Sequence, residues 1–154
     1  MFIMIQDKVS VLLLVLALSG LSACGHDERV EPVWRTLVLA NDTNAILRLL
    51  QSDPTIVSEE DSFQYLPIHL AVAAGYPEMC RILVEHGSDV NARMRYGGWT
   101  PLHFAVPAES TEIINLLLKA GADPTIEDDD GTSAIALAAD SGKPELVAML
   151  KAKT

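Results

Sequence analysis

Past residue 32 the chain alternates short apolar clusters with polar breaks, at a spacing too short for long helices and too irregular for strands. Pairs of clusters return together. Leu66-Pro-Ile-His-Leu-Ala-Val aligns with Thr100-Pro-Leu-His-Phe-Ala-Val at an offset of 34, and that segment aligns with Ser133-Ala-Ile-Ala-Leu-Ala-Ala at an offset of 33. The second cluster keeps the same step: Glu78-Met-Cys-Arg-Ile-Leu-Val-Glu-His-Gly-Ser-Asp matches Glu112-Ile-Ile-Asn-Leu-Leu-Leu-Lys-Ala-Gly-Ala-Asp, and Glu145-Leu-Val-Ala-Met-Leu-Lys matches both. A weaker copy, Ala45-Ile-Leu-Arg-Leu-Leu, lies one period upstream. A period near 33 residues marks an array of stacked units.

The residues at the helix boundaries give a local reason for the pattern. Thr100 suits a helix cap, and Pro101 suits the first helical position, where no backbone N–H is needed. Gly75 and Gly142 end first helices, and Gly87 and Gly121 end second helices, where a left-handed residue closes the last turn. Ile113, Ile114, Leu116, Leu117 and Leu118 apply apolar surface around most of one second helix, as burial between two neighbours requires. The chain thereby resembles the ankyrin repeat, whose helix-opening Thr-Pro-Leu-His pattern is clearest in the two central copies. The resemblance implies an all-α solenoid of four repeats, about 33–61, 62–94, 95–127 and 128–154, with the outer two as caps. It also implies a structural tie between loops for His69 and His103. Three departures stand out: Leu66 in place of a capping Thr, Pro54 in place of a Gly, and Pro107 with Glu109 and Ser110, which predict an early helix end and an irregular corner in the third repeat.

Before the array, Val9 to Leu21 is a thirteen-residue apolar run interrupted by two Ser and one Gly. A bilayer-spanning helix needs about 20 apolar residues, so the run reads as the centre of a signal peptide. Leu21-Ser22-Ala23-Cys24 follows directly and resembles the lipobox of bacterial lipoproteins. The resemblance implies removal of residues 1–23, acylation of Cys24, and a polar tether over 24–32 whose residues 25–32 extend about 28 Å at about 3.5 Å each. Two or more acyl chains anchor a protein stably. Gly25 in place of an inner-membrane retention Asp favours the outer membrane, with the domain facing the periplasm. An ordinary secretory signal with an incidental Cys is the alternative.

Charge narrows the function classes. The 154 residues carry 21 acidic and 11 basic side chains, a formal charge of −10, which argues against broad contact with a phosphate backbone. The four histidines are scattered over the tether and two repeats without metal-ligand spacing, so no metal or cofactor is expected. His86 precedes a helix-ending Gly, where a polar or positive group suits the helix carboxyl end. Cys80 reads as a buried hydrophobe. Glu127-Asp128-Asp129-Asp130-Gly131 fails as a calcium loop, because Gly131 at its sixth position would place Ile126 first and Leu137 twelfth.

No nucleophile, base or phosphate-loop arrangement emerges, so an enzyme is not expected. The segment Ala92-Arg93-Met94-Arg95-Tyr96-Gly97-Gly98-Trp99 is a local basic and aromatic tip, with Arg95 where the repeat usually has Asp. Arg and aromatic side chains dominate binding energies at interfaces. Arg93, Met94, Arg95, Tyr96 and Trp99 are therefore candidate partner contacts, with Trp99 open equally to packing on the adjacent turn. Glu127, Asp128, Asp129 and Asp130 form an electrostatic opposite one repeat along, and the pair can orient a partner of complementary pattern. The expected role is that of a monomeric, lipid-anchored protein-binding module; occlusion of a secreted effector such as a lipase, or support of envelope oxidative-stress defence, are its alternatives.

Overall fold

Proline sets four of the helix starts and left-handed residues follow most of the helix ends, and between them these fix a stack of short helices. The computed structural model describes residues 31–152. Its helices are α1 (Val33–Leu39), α2 (Thr43–Ser52), α3 (Pro67–Ala73), α4 (Pro77–Glu85), α5 (Pro101–Ala105), α6 (Thr111–Lys119), α7 (Ala134–Asp140) and α8 (Pro144–Lys151), with a 3₁₀ turn at Pro54–Ser58. Pro67, Pro77, Pro101 and Pro144 stand at helix starts. The carboxylate of Asp42 accepts the Ala45 N–H at 3.0 Å, and the Ser133 hydroxyl accepts that of Ala136 at 3.3 Å.

The ends of the first helices show that the period is a period of conformation as well as of residues. Asn41, Gly75, Glu109 and Gly142 are spaced 34, 34 and 33 apart, and all four have positive φ, from 51° to 71°. Glycine reaches this region without strain, and a non-glycine residue such as Glu109 does so only at a cost. Glu109 follows Pro107, and α5 is correspondingly shortened to five residues against seven in α3 and α7. The early helix end expected from Pro107 is thus present.

α1, α3, α5 and α7 stack as one layer, while α2, α4 and α6 stack behind them and α8 packs on α7. The seam between layers is filled by Trp34, Ile46, Leu50, Ile68, Met79, Leu83, Leu102, Ile113, Ile114, Leu117 and Leu150, each less than about a fiftieth exposed. Cys80 lies in this seam as a fully buried free thiol, pushed up to about 12 in pKa by desolvation. Fully burying one such side chain contributes about 1.5–3 kcal/mol, so the seam dominates the stability of the stack. Among the described residues there is no strand, only an isolated antiparallel bridge between Glu127 and Ser133. No described helix is long and apolar enough to cross a membrane.

The apolar run and lipobox, including Cys24, lie outside the described residues, as does most of the tether. Its last two residues are described, and they lie against the array. Pro32 precedes α1 directly, and Glu31 accepts a hydrogen bond from the Ser62 hydroxyl and pairs with Arg35 at 3.7 Å. The array therefore begins by holding the end of the tether against the first turn.

Candidate functional site

Three turns project from the same edge of the stack, and each is built by a different use of its side chains. In the first, Asp61 is buried and its Oδ1 accepts the N–H groups of Phe63 and Tyr65 at 2.9 and 2.8 Å. In the third, Asp128 does the same for Asp130 and Thr132 at 3.0 and 2.8 Å. Asp128, only 8% exposed, thus builds its turn and is not the partner contact that its place in the acidic run predicts. The repeat offsets carry Asp128 back through Arg95 to Asp61, whose role the sequence alone does not single out.

Arg95 cannot accept hydrogen bonds, and the central turn changes shape accordingly. The N–H of Asp61 and Asp128 meets a carbonyl four residues on, but the central turn closes from Met94 to Trp99, five on. Gly97 and Gly98, at φ 79° and 64°, supply the curvature. A Cβ on Gly98 would meet the movable ends of Arg93 and Asp129 at 2.3 and 2.5 Å and the Asp129 backbone nitrogen at 3.0 Å, so crowding adds to the positive φ in favouring glycine here.

The exposed charges of the central turn reach both neighbours. Arg95 pairs with Glu60 of the preceding turn at 3.2 Å, and Arg93 pairs with Asp129 of the following turn at 2.9 Å while donating to the Gly98 carbonyl. The basic and acidic tips are therefore joined to each other and do not stand as a free dipole. Glu127, Asp129 and Asp130 are exposed, and Tyr96 is 74% exposed beside them. Met94 is half-buried.

Trp99 packs inward, which decides between its two readings. Its ring lies 5.0 Å from that of Phe104 on α5 in an edge-on arrangement, and Tyr65 of the first turn reaches the same Phe104 at 5.9 Å. Tyr65, Phe104 and Trp99 remain half-buried, forming an aromatic ridge where turns meet inner helices. Phe63, 61% exposed, has the Arg35 guanidinium 4.9 Å over its ring.

The histidines hold the ridge's supports in place. Thr100 and His103 form a capping box: His103 Nδ1 accepts the Thr100 N–H at 3.1 Å and lies 2.7 Å from its hydroxyl, and Nε2 donates to the Thr132 carbonyl of the next turn at 2.9 Å. His69 Nε2 donates to Ala92 at 3.0 Å, but Leu66 offers no hydroxyl, and buried Nδ1 has no partner. Desolvation pushes the pKa of His69 down to about 4, against the raising effect of its carbonyl contacts. His86 Nδ1 donates to the Ile82 carbonyl at 2.7 Å at the end of α4. Asn91 joins repeats too, accepting the Asp123 N–H at 2.7 Å and donating to Gly121 at 3.1 Å. Asp53 and Asp123 hold tight turns with Thr55 and Thr125, whose hydroxyl and N–H bonds lower both carboxyl pKa values. Among the described residues no three His, Cys, Asp or Glu side chains are grouped to hold a metal.

Stacked helix pairs, projecting turns and imidazole ties between loops define a repeat protein with an extended binding edge. A family model of ankyrin repeats, in three copies, matches residues 36–128, more than half of the chain, and the chain belongs to that family. Similar stretches occur in serine/threonine-protein kinase VIK of Arabidopsis thaliana, 39% identical over 56 residues, and in ankyrin repeat and SOCS box protein 6 of Mus musculus, 40% identical over 53. These cover 36% and 34% of this chain and 13% of each relative, so the likeness is one of repeats and not of whole proteins. Ankyrin repeats are generally modules that bind another protein.

Proposed function

We propose that this chain is a lipid-anchored, non-catalytic binding module of a bacterial envelope, acylated at Cys24 and presenting its turns to a protein in the periplasm. The observation that carries the binding reading is the pair of exposed aromatic side chains, Tyr96 and Phe63, at adjacent turns. Exposed aromatics supply contact area at little cost in side-chain entropy, the composition of binding hot spots. The anchoring reading rests on the order Leu21-Ser22-Ala23-Cys24 behind a thirteen-residue apolar run. Gly25 favours the outer membrane.

Capture from the envelope fraction tests the first part. Tyr96→Ala with Phe63→Ser leaves the core untouched and is expected to lose the partner that the unchanged protein recovers; identical recovery would remove this binding edge. Incorporation of labelled palmitate tests the second: Cys24→Ser is expected to abolish labelling and release the protein from the membrane fraction. The partner's identity separates two finer roles. Occlusion of a delivered effector predicts toxicity on deletion in dense co-culture, whereas support of oxidative-stress defence predicts peroxide sensitivity.

A further inference from the structure

The turns already show which chemical group their carboxylates hold. Three arginines of the chain are each seated on an acidic residue of a turn: Arg35 on Asp61, Arg95 on Glu60 and Arg93 on Asp129. Arg35 adds a stacking contact with Phe63, so one guanidinium engages a carboxylate and an aromatic face together. Planar guanidinium groups match carboxylates in pairs and stack on rings, which ammonium groups do less well.

The two outer pairs differ from the first in exposure. Asp61 is wholly enclosed, but the side chains of Arg93 and Asp129 are 48% and 56% exposed, and those of Arg95 and Glu60 are 66% and 38% exposed. Exposed ion pairs contribute little, about 0–1 kcal/mol, so an incoming group can replace one member at small cost. Glu59, Glu127 and Asp130 add exposed acidic charge on the same turns, leaving five exposed or half-exposed carboxylates against the two arginines.

We propose that the ridge of Tyr65, Phe104 and Trp99, with the carboxylates of Glu60 and Asp129 on either side of the central turn, receives arginine side chains from an extended segment of the partner protein. The partner's guanidinium groups take the places of Arg95 and Arg93 on these carboxylates and stack on the aromatic faces. This deepens the binding reading given above and rests on it.

The test uses the full chain in a nonionic detergent and fluorescein-labelled nine-residue peptides that alternate serine with arginine, lysine or glutamate. The arginine peptide is expected to bind measurably by anisotropy, several-fold tighter than the lysine peptide, with no binding of the glutamate peptide. Glu60→Gln with Asp129→Asn is expected to weaken it about tenfold while thermal melting stays unchanged, since both residues are surface members of exposed pairs. Phe104→Leu, which keeps an apolar side chain on α5, is expected to erase the preference for arginine over lysine. Equal affinity for the two basic peptides, binding indifferent to the double substitution, or no binding overturns the proposal. Should the arginine peptide fail while the envelope partner is still lost with Tyr96→Ala and Phe63→Ser, this inference alone falls. Should the peptide bind while those substitutions leave recovery intact, the envelope-binding reading falls instead.

Discussion

The turn before α3 and the turn before α5 occupy equivalent places in successive repeats, yet each holds the half of the machinery that the other lacks. The first has Asp61 to gather its backbone N–H groups but Leu66 where a capping hydroxyl belongs, so His69 is left with an unpartnered nitrogen. The second has Thr100 to complete the box with His103 but Arg95 in place of the turn-building carboxylate, and it closes one residue wider on two glycines. Stability and surface chemistry separate along this division. A carboxylate consumed by the backbone fixes a turn and is lost to the surface; replacing it with arginine surrenders that fixing and gains a side chain that reaches both neighbours.

The comparison can be broken most severely at Asp61. Asp61→Ala leaves two turn N–H groups and Arg35 without their acceptor, and is expected to lower unfolding stability by about 3 kcal/mol in urea titration. Asp61→Asn, which keeps an acceptor oxygen, should retain much of it.

Acid titration probes the uncapped histidine. The pKa of His69 is about 4 in the fold against 6.5 for the free side chain, so the unfolded chain binds the proton first. Stability is therefore full above pH 6.5 and falls as the pH drops toward 4, by up to about 3 kcal/mol from this group. His69→Gln should flatten that part of the profile. Asp53 and Asp123 act in a lower window: their depressed values stabilise the fold above the ordinary carboxylate range, and that contribution disappears as the pH falls through their folded values.

Gly98→Ala attacks the glycine solution of the central turn. With a positive φ and the Asp129 backbone nitrogen 3.0 Å from the added carbon, a loss of about 2 kcal/mol is expected, against about 1 kcal/mol for Gly97→Ala, whose nearest neighbour is a side-chain atom 3.5 Å away. Leu66→Thr would give the second repeat the box of the third and is expected to raise stability by about 1 kcal/mol, a gain read as a higher urea midpoint. The smallest effect belongs to Arg95→Ala, which should shift stability by no more than about 0.5 kcal/mol, because its pair with Glu60 is exposed.

Much of the fold was legible before any coordinates. The 33–34-residue offsets placed the helix pairs, Pro101 marked the start of α5, and Gly75, Gly87, Gly121 and Gly142 took the left-handed conformation at helix ends. Pro107 announced the short α5. The binding edge was less legible. Arg93, Arg95 and Tyr96 were recognisable as an unusual tip, but Asp61, Phe63, Tyr65 and Phe104, which complete the edge, looked like ordinary members of their own repeats.

What the sequence determined by itself are features set within a few residues: a proline's φ, a glycine's tolerance of positive φ, a hydroxyl one turn from its acceptor. The stacking of repeats decided the rest, because it brings together groups some thirty residues apart. It set Arg95 on Glu60 and Arg93 on Asp129, turned Trp99 toward Phe104, and closed His69 away from water with one nitrogen unmet. Backbone preference is local and survives in the string of letters, whereas the direction of a side chain depends on which surfaces packing places beside it.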